Sequence, residues 1–563
     1  MDQSSITRSV SILLVAVILS GCSTAGYKEK ADAEAYSLIA EKRGQVPGMT
    51  ADISIEPREA PDFADLPTSD LSYDYLGDAK DSEIGMYVLS LNGALDLAIK
   101  HSRSYQSQKE SLYRQALQLS EQRHVYDPIF SGSVSSDIRW STRDEVLTGV
   151  NNLTHVDITS LTSGSVATGL GVSKMMKGGG RMAVSLTSNF FEFLSGRSTG
   201  DSATSVLLGT FTQPLLQGRG RKIAMENLTQ SERNLLYSLR DFTRFRKEFS
   251  VQITAEYYNV LRNKDSVNNN YLSYQSFQTS LEREKAFQAE GLKTPGQVAR
   301  LEQSTLSSES SWTRSINTYQ ASLDRFKISL GIKTDTPLVL NDIELKQLAT
   351  GELLTPGLEL AEAVELALVT RLDLYTQIDE ILDAERKIVI AANGMQPRMD
   401  LLISGRYNSK DGNRVSALDF QRHDYTVGVD LELPFDRKSD RNNYRNSLIN
   451  LEVARRSADA LVDNVKLDVR NGWRDLGQAN RDYDISVLSV DINTKRLEEE
   501  KLKEELGEGN ILDLIDAQNA LTNAQTAFTG SLVQQRITLL EFWRDVGVLY
   551  VHDNGQWENR TNG

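Results

Sequence analysis

ALVDNVKLDVRNGWRDLGQANRDYDISVLSVDINTKRL, residues 460–497, decides the fold. Val462, Val469, Leu476, Tyr483, Val490 and Leu497 recur every seven residues, and Ala458, Val465, Gly472, Ala479 and Ser486 form a second row. Apolar residues on a heptad make a coiled-coil seam, and a row of small residues lets the neighbouring helix approach closely. The pattern extends from Ser439 to Leu506, turns at Leu506-Gly507-Glu508-Gly509-Asn510, and returns as a shorter helix through Asp545. A helix of nearly 70 residues is roughly 100 Å long at 1.5 Å per residue, more than a compact globular domain needs.

The rest of the 563-residue chain bounds what that helix serves. The formal net charge is -15, which argues against a nucleic-acid partner. Beyond the N-terminus there is no run of about 20 apolar residues, the length of a membrane-spanning helix. Residues 1–21 read as a signal segment, with Arg8 before the apolar Val10–Leu19. Leu19-Ser20-Gly21-Cys22 resembles a bacterial lipobox, which implies Cys22 as a lipidated first residue and, with Ser23 after it, delivery to the outer membrane. Cys22 is the single cysteine, so no intramolecular disulfide forms. Residues 22–90, broken by Pro47, Pro57, Pro61 and Pro67, read as an extended arm or a tether behind that anchor.

From residue 91 the chain runs through one pattern twice. Leu91–Tyr126 is helical and ends at Asp127-Pro128. Phe130, Gly132, Val134, Ile138 and Trp140 then alternate with Ser131, Ser133, Ser135, Asp137 and Arg139, a strand with an apolar and a polar face. Further strand-like runs cover 165–174, 182–194 and 204–211, with a glycine turn at Lys177–Arg181. A long helix over 219–289, a tip at 290–296 and a returning helix to Gly331 complete repeat one, 91–331. After a connector, 332–359, Leu360-x-x-Ala363-Val364-x-Leu366-Ala367 restates Leu91-x-x-Ala94-Leu95-x-Leu97-Ala98 at an offset of 269, which also carries Pro128 onto Pro397. Repeat two, 360–547, holds a β-hairpin at 398–434 where repeat one holds its insertion at 128–214, and its tip is 506–510. An offset of 216 takes Gly291, Phe326 and Gly331 to Gly507, Phe542 and Gly547. The chain reads as an internal duplication with a tail at 548–563.

Two short helices end to end match one long helix, so each repeat supplies helical lanes of equal length. The strands, about 9–13 residues as read here, are long enough to cross an outer membrane when tilted. One chain has too few to enclose a channel, and an open edge is not tolerated in lipid. A homo-oligomer that shares one barrel follows. Between 128 and 214 there are four strand-like runs rather than two: either an extra hairpin decorates the outside of the barrel, or the barrel is larger, which a meander with a short glycine turn fits.

In this duplicated order, with the tip pattern Gly507-x5-Asp513-x2-Asp516-Ala517, residues 91–549 resemble the TolC-type outer-membrane efflux channels, lipoprotein branch. The resemblance implies a mainly α fold with a β portion: long antiparallel coiled-coil helices that form an α-barrel tunnel, joined to a twelve-stranded transmembrane β-barrel shared by three chains. It implies an exit duct of a tripartite efflux pump or type I secretion system. The partners would be two further copies, outer-membrane lipid, a periplasmic adaptor (membrane fusion) protein and an inner-membrane RND or ABC transporter. Asp513 and Asp516 fall where the family rings its tunnel constriction. The family's latching arginine and tyrosine are replaced by Gly509 and Glu504, and its repeat-one aspartate by Gln297. The tips, with Gly291, Lys293, Thr294, Gly507, Glu508 and Gly509, are expected to meet the adaptor.

No enzyme chemistry or cofactor is expected. The five histidines have no metal-ligand spacing, and there is no G-x-S-x-G. The alternative is a lipid-anchored periplasmic coiled-coil scaffold or adhesin, which has no use for strands with a lipid-facing side.

Overall fold

The computed structural model describes residues 24–49, 53–56, 59–148, 154–195, 202–350, 357–410, 418–506 and 509–559. The signal segment with Cys22, and Gly507 and Glu508 of the second tip, lie outside the described residues.

In chain order the elements are α1 (Thr24–Arg43), β1 (Tyr87–Leu89), α2 (Leu91–His101), α3 (Arg103–His124), β2 (Ile129–Thr148), β3 (Thr154–Met175), β4 (Arg181–Ser195), β5 (Ser202–Pro214), α4 (Arg221–Ala224), α5 (Glu226–Ala289), α6 (Pro295–Leu330), β6 (Leu338–Leu340), α7 (Ile343–Thr350), α8 (Leu360–Thr370), α9 (Leu372–Gly394), β7 (Arg398–Ser409), β8 (Leu418–Glu432), α10 (Lys438–Glu505), α11 (Ile511–Val546), β9 (Leu549–Val551) and β10 (Trp557–Asn559). The long helices α5 and α10 have 64 and 68 residues, and the returning helices α6 and α11 have 36 each. Each return starts at a side-chain cap. Thr294 accepts from the Gln297 backbone, and the Gln297 side chain accepts in return from the Thr294 backbone. Asn510 accepts from the Leu512 N–H. Each return ends at a left-handed glycine, Gly331 at φ 83° and Gly547 at φ 88°.

Those two glycines explain a departure from the expected single helices. The helix that begins at Leu91 breaks at Ser102, and the one that begins at Leu360 breaks at Arg371, both residues extended. The end of a return helix sits at each break. A Cβ on Gly331 would lie 2.0 Å from the His101 carbonyl oxygen, and one on Gly547 would lie 2.7 Å from Thr370 Oγ1. The Thr370 hydroxyl donates to the Val546 carbonyl at 2.6 Å, which satisfies a carbonyl that the helix end leaves unpaired.

The chain divides into two compact units. One contains Gln115–Leu235 and Ile378–Arg456. Its centre is a six-stranded, fully antiparallel sheet in the order β2-β3-β4-β5-β7-β8. All four runs of the 128–214 insertion are therefore consecutive strands of one sheet. The strands are also longer than read from alternation: 20, 22, 15, 13, 12 and 15 residues. Backbone pairing between β2 and β3 continues from Ile129↔Ser173 to Thr148↔Thr154, well past the alternating part that marked the strand in the sequence. The glycine turn is a turn, closed by Met176 N–H to the Gly180 carbonyl at 2.7 Å. Gly179, at φ 93°, lets the Gly218 carbonyl come within 2.6 Å of where a Cβ would be.

The other unit contains Ala40–Arg114, Leu236–Gln377 and Ser457–Gly563. One core cluster of this unit takes Val465, Val469 and Leu476 from the α10 seam, Leu539, Phe542, Trp543 and Val546 from α11, and Ala363 and Ala367 from α8. Before the first of the arm's prolines, Pro47, the chain forms α1, a 20-residue helix, most of which belongs to the first unit. Farther along, β1 pairs in parallel with β6 of the connector. A buried ionic network ties both to α5. Lys264 Nζ lies 2.7 Å from Glu83 and 2.9 Å from Asp342, and the Tyr319 hydroxyl donates to Glu83 at 2.7 Å. The short β9–β10 hairpin of the tail was not read from the sequence.

Candidate functional site

The sheet has two unlike faces. One rung crosses all six strands as Phe130, Val172, Val184, Gly209, Gly405 and Tyr425. The same-face rung beside it holds Gly132, Leu170, Leu186, Leu207, Tyr407 and His423. Val134, Ile138 and Trp140 of β2 and Val427, Val429 and Leu431 of β8 extend this face, since side chains two apart on a strand share a side. The other face holds Ser131, Ser133, Ser135, Asp137 and Arg139 on β2, Ser185 and Thr187 on β4, and Thr426, Asp430 and Glu432 on β8.

The apolar face is not a core. Phe130 is 80 % exposed, Trp140 75 % and Val427 72 %. Water-soluble proteins rarely leave so large a contiguous apolar surface uncovered. From Phe130 to Trp140 the face is about 34 Å tall along an upright strand, and about 26 Å when the strand is tilted by 40°, close to the roughly 25 Å band of outer-membrane barrels. None of the described helices is long and apolar enough to cross a membrane.

The second candidate site is the tip region, where α5–α6 meets α10–α11. Phe277, Leu301 and Ile511 form one small core there, and Leu497, Leu514, Ala517 and Leu521 another. Beside them lies a buried charge cluster. Lys293 donates to the Gly509 carbonyl at 3.2 Å and lies 3.4 Å from Glu284. Arg283 reaches Glu504 and Glu505, each at 3.6 Å. Glu284 is 0 % exposed and Glu504 2 %, and neither carboxylate has a hydrogen-bond donor. Burial above all, with Glu284 beside it, pushes the Glu504 carboxyl up to about 7 against the opposing pull of Arg283, Lys293 and Lys501. A Cβ on Gly509 would lie 2.6 Å from the Glu504 Cα, so glycine is required for the second turn to close on the end of α10.

Of the tip residues expected to meet a partner, Lys293 is thus largely occupied within its own chain, while Gly291, at φ 78°, and Thr294, the α6 cap, shape the first turn. Asp513 and Asp516 are both exposed, one helical turn apart near the start of α11, whereas Leu514 and Ala517 between and beside them are buried. Gln297, the counterpart of Asp513, serves its helix as a capping residue. At Glu504 and Gly509 the sequence implies the loss of a contact. The structure gives them one inside the chain, with Arg283, Glu284 and Lys293, which no local pattern marks. Among the described residues no group of three or more His, Cys, Asp or Glu is arranged to hold a metal ion.

Comparison with solved structures gives the same architecture. The chain superposes on CusC, a transmembrane channel, with a TM-score of 0.60 at 11 % identity over 89 % of this chain and 99 % of that one. It superposes on the CmeC outer membrane channel of Campylobacter jejuni with a TM-score of 0.57 at 15 % identity, covering 84 % and 87 %. With the open state of the MtrE outer membrane channel of Neisseria gonorrhoeae the TM-score is 0.54 at 14 % identity, covering 87 % and 96 %. The fold is that of the TolC-type outer-membrane channels. The sequence itself matches no protein-family model and no curated protein, so the likeness is carried by the fold.

Proposed function

We propose that this chain is the outer-membrane exit duct of a tripartite efflux pump or type I secretion system. The observation that carries the proposal is the apolar face that crosses the sheet, with large apolar side chains exposed on β2, β3, β4, β7 and β8, backed by a polar face. Lipid outside and water inside is the environment such a sheet suits. Its open edges require further copies, because unpaired strand edges are not tolerated in hydrocarbon. We take the assembly to be a trimer, with the coiled-coil helices lining an α-barrel tunnel. Ile485, Leu488 and Ile492 support this: they are exposed apolar residues on α10, spaced three and four apart and off the seam, as a second helix–helix contact needs.

On this reading Cys22 carries the lipid anchor, and the tips at 290–296 and 506–510 face a periplasmic adaptor joined to an RND or ABC transporter. Asp513 and Asp516 of three chains ring the constriction. The recurring helix breaks at Ser102 and Arg371 and caps at Gly331 and Gly547 support internal duplication. The test is fractionation of the native protein with mass determination in detergent. A trimer in the outer-membrane fraction that conducts ions in a planar bilayer is expected. A soluble monomer in the periplasm would overturn the proposal.

A further inference from the structure

We propose that each copy contributes all six strands to the shared barrel, with β8 of one copy paired antiparallel to β2 of the next, so that three copies close eighteen strands rather than twelve. The inference rests on the trimeric channel proposed above and specifies how its wall is closed.

The first support is sheet continuity. β3 pairs with β4 from Met175 back to Thr162, and the apolar residues of the β2–β3 hairpin share the rungs of the other strands. A decoration outside the barrel would place its own apolar face against lipid headgroups or water. Here Phe130 and Tyr425, on opposite edge strands, end one rung.

The second support is direction. Successive strands alternate, so β2 and β8 run antiparallel to each other. An even number of strands per copy lets the ring close with the same antiparallel pairing everywhere.

The third support is stagger. The rung Ile129–Ser173–Ala183–Thr210–Ser404–Thr426 starts at the first residue of β2 and reaches β8 six residues before its last, Glu432. Closing a barrel of tilted strands requires such an offset. Only registers that change in steps of two keep apolar residues on one face. Glu432 opposite Ile129 of the next copy shifts the rung by six residues, about 20 Å along the strands against about 29 Å across six of them, a tilt of about 35°. That register sets Asp424 against Asp137. Glu432 opposite Ser131 shifts the rung by eight residues, for a tilt of about 42°. This register sets Asp424 against Arg139 and Val429 against Val134. Both tilts suit membrane barrels, which fall at roughly 35–45°. Opposite charges across the seam favour the second.

Barrel diameter grows roughly linearly with strand number, so eighteen strands give a mouth about one and a half times as wide as twelve. The test is disulfide capture in membranes with the double variant Val134→Cys/Val429→Cys, the parent chain serving as the control for Cys22. A covalent trimer that forms on oxidation and is lost on reduction is expected, while Val134→Cys/Gly428→Cys, which puts the two thiols on opposite faces, stays monomeric on a denaturing gel. A second pair on the same register, Gly132→Cys/Leu431→Cys, guards against a local folding fault. Capture by Val184→Cys/Val429→Cys in place of both pairs would join β8 to β4, leave the hairpin outside the wall, and overturn the inference. So would no capture by any pair in an assembly whose detergent mass is a trimer. A soluble monomer would instead break the channel reading on which it rests.

Discussion

The sheet and the tip distribute their chemistry in opposite senses. The sheet exposes large apolar side chains, Phe130, Trp140 and Val427 among them, whereas the tip buries carboxylates, Glu284 and Glu504. In a water-soluble protein both would be penalised: exposed apolar area costs about 25 cal/mol per Å², and a buried charge must be paired. On the proposed reading the sheet resolves its cost by facing lipid. The tip resolves its own internally, with Arg283 and Lys293 around the acids and a proton on Glu504 at acidic pH. The same contrast holds in the arm region, where Lys264 is buried between Glu83 and Asp342.

The largest expected effect breaks that buried pairing. Lys264→Ala leaves Glu83 buried with only the Tyr319 hydroxyl, and loss of about 3–5 kcal/mol is expected, as for other broken buried pairs. Urea unfolding of the purified assembly reads it. Lys264→Met with Glu83→Gln and Asp342→Asn should recover most of the loss, because no charge is then left unpaired. A single variant as stable as the parent would show that the network contributes nothing.

Next comes a charge on the sheet. Val427→Arg places a cation on the apolar face and is expected to cost about 2–4 kcal/mol per chain if that residue sits near the bilayer midplane. Thr426→Arg, one residue away on the polar face, should be nearly silent. The readout is the fraction of protein that survives urea extraction of membranes. Equal loss for both would mean that the two faces see the same solvent.

The tip gives a smaller, pH-dependent effect. Because the Glu504 carboxyl is raised from its usual 4.5 to about 7, the folded tip holds a proton that the opened tip releases. Its contribution is full below about 4.5 and is lost as pH rises through about 7. Hydrogen exchange of the 284–297 and 500–515 segments, corrected for intrinsic rates, should show protection that declines between pH 5 and 7. Glu504→Gln should flatten that decline without exposing the tip. An unchanged slope would show that another group sets it.

The smallest effect on stability belongs to the exposed acids. Asp513→Ala with Asp516→Ala removes carboxylates from the first turns of α11, worth about 0.3–1 kcal/mol each at a helix start. The same double change should lower cation preference and block by a trivalent cation in single-channel recordings. Unchanged conductance properties alongside that small stability loss would leave the pair as helix-start residues alone.

Helix lengths, turns and two-faced strands were all legible in the sequence, because each is a local periodicity. The seam from Val462 to Leu497 places α10 to within a residue or two, and alternation at Phe130–Trp140 and Tyr425–Leu433 marks the sheet's two edges. The order of strands was not legible: nothing in Ser165–Lys174 says whether its neighbours lie in one sheet or fold outside it, since pairing β5 to β7 joins residues about 200 apart. Nor were the helix breaks. Ser102 and Arg371 sit in helix-compatible surroundings, and only the arrival of Gly331 and Gly547 from distant parts of the chain makes the bend favourable. Lys293, Glu284, Arg283 and Glu504 are ordinary surface residues by pattern. Packing of one hairpin against another removes their water, and with it their charges become dependent on each other.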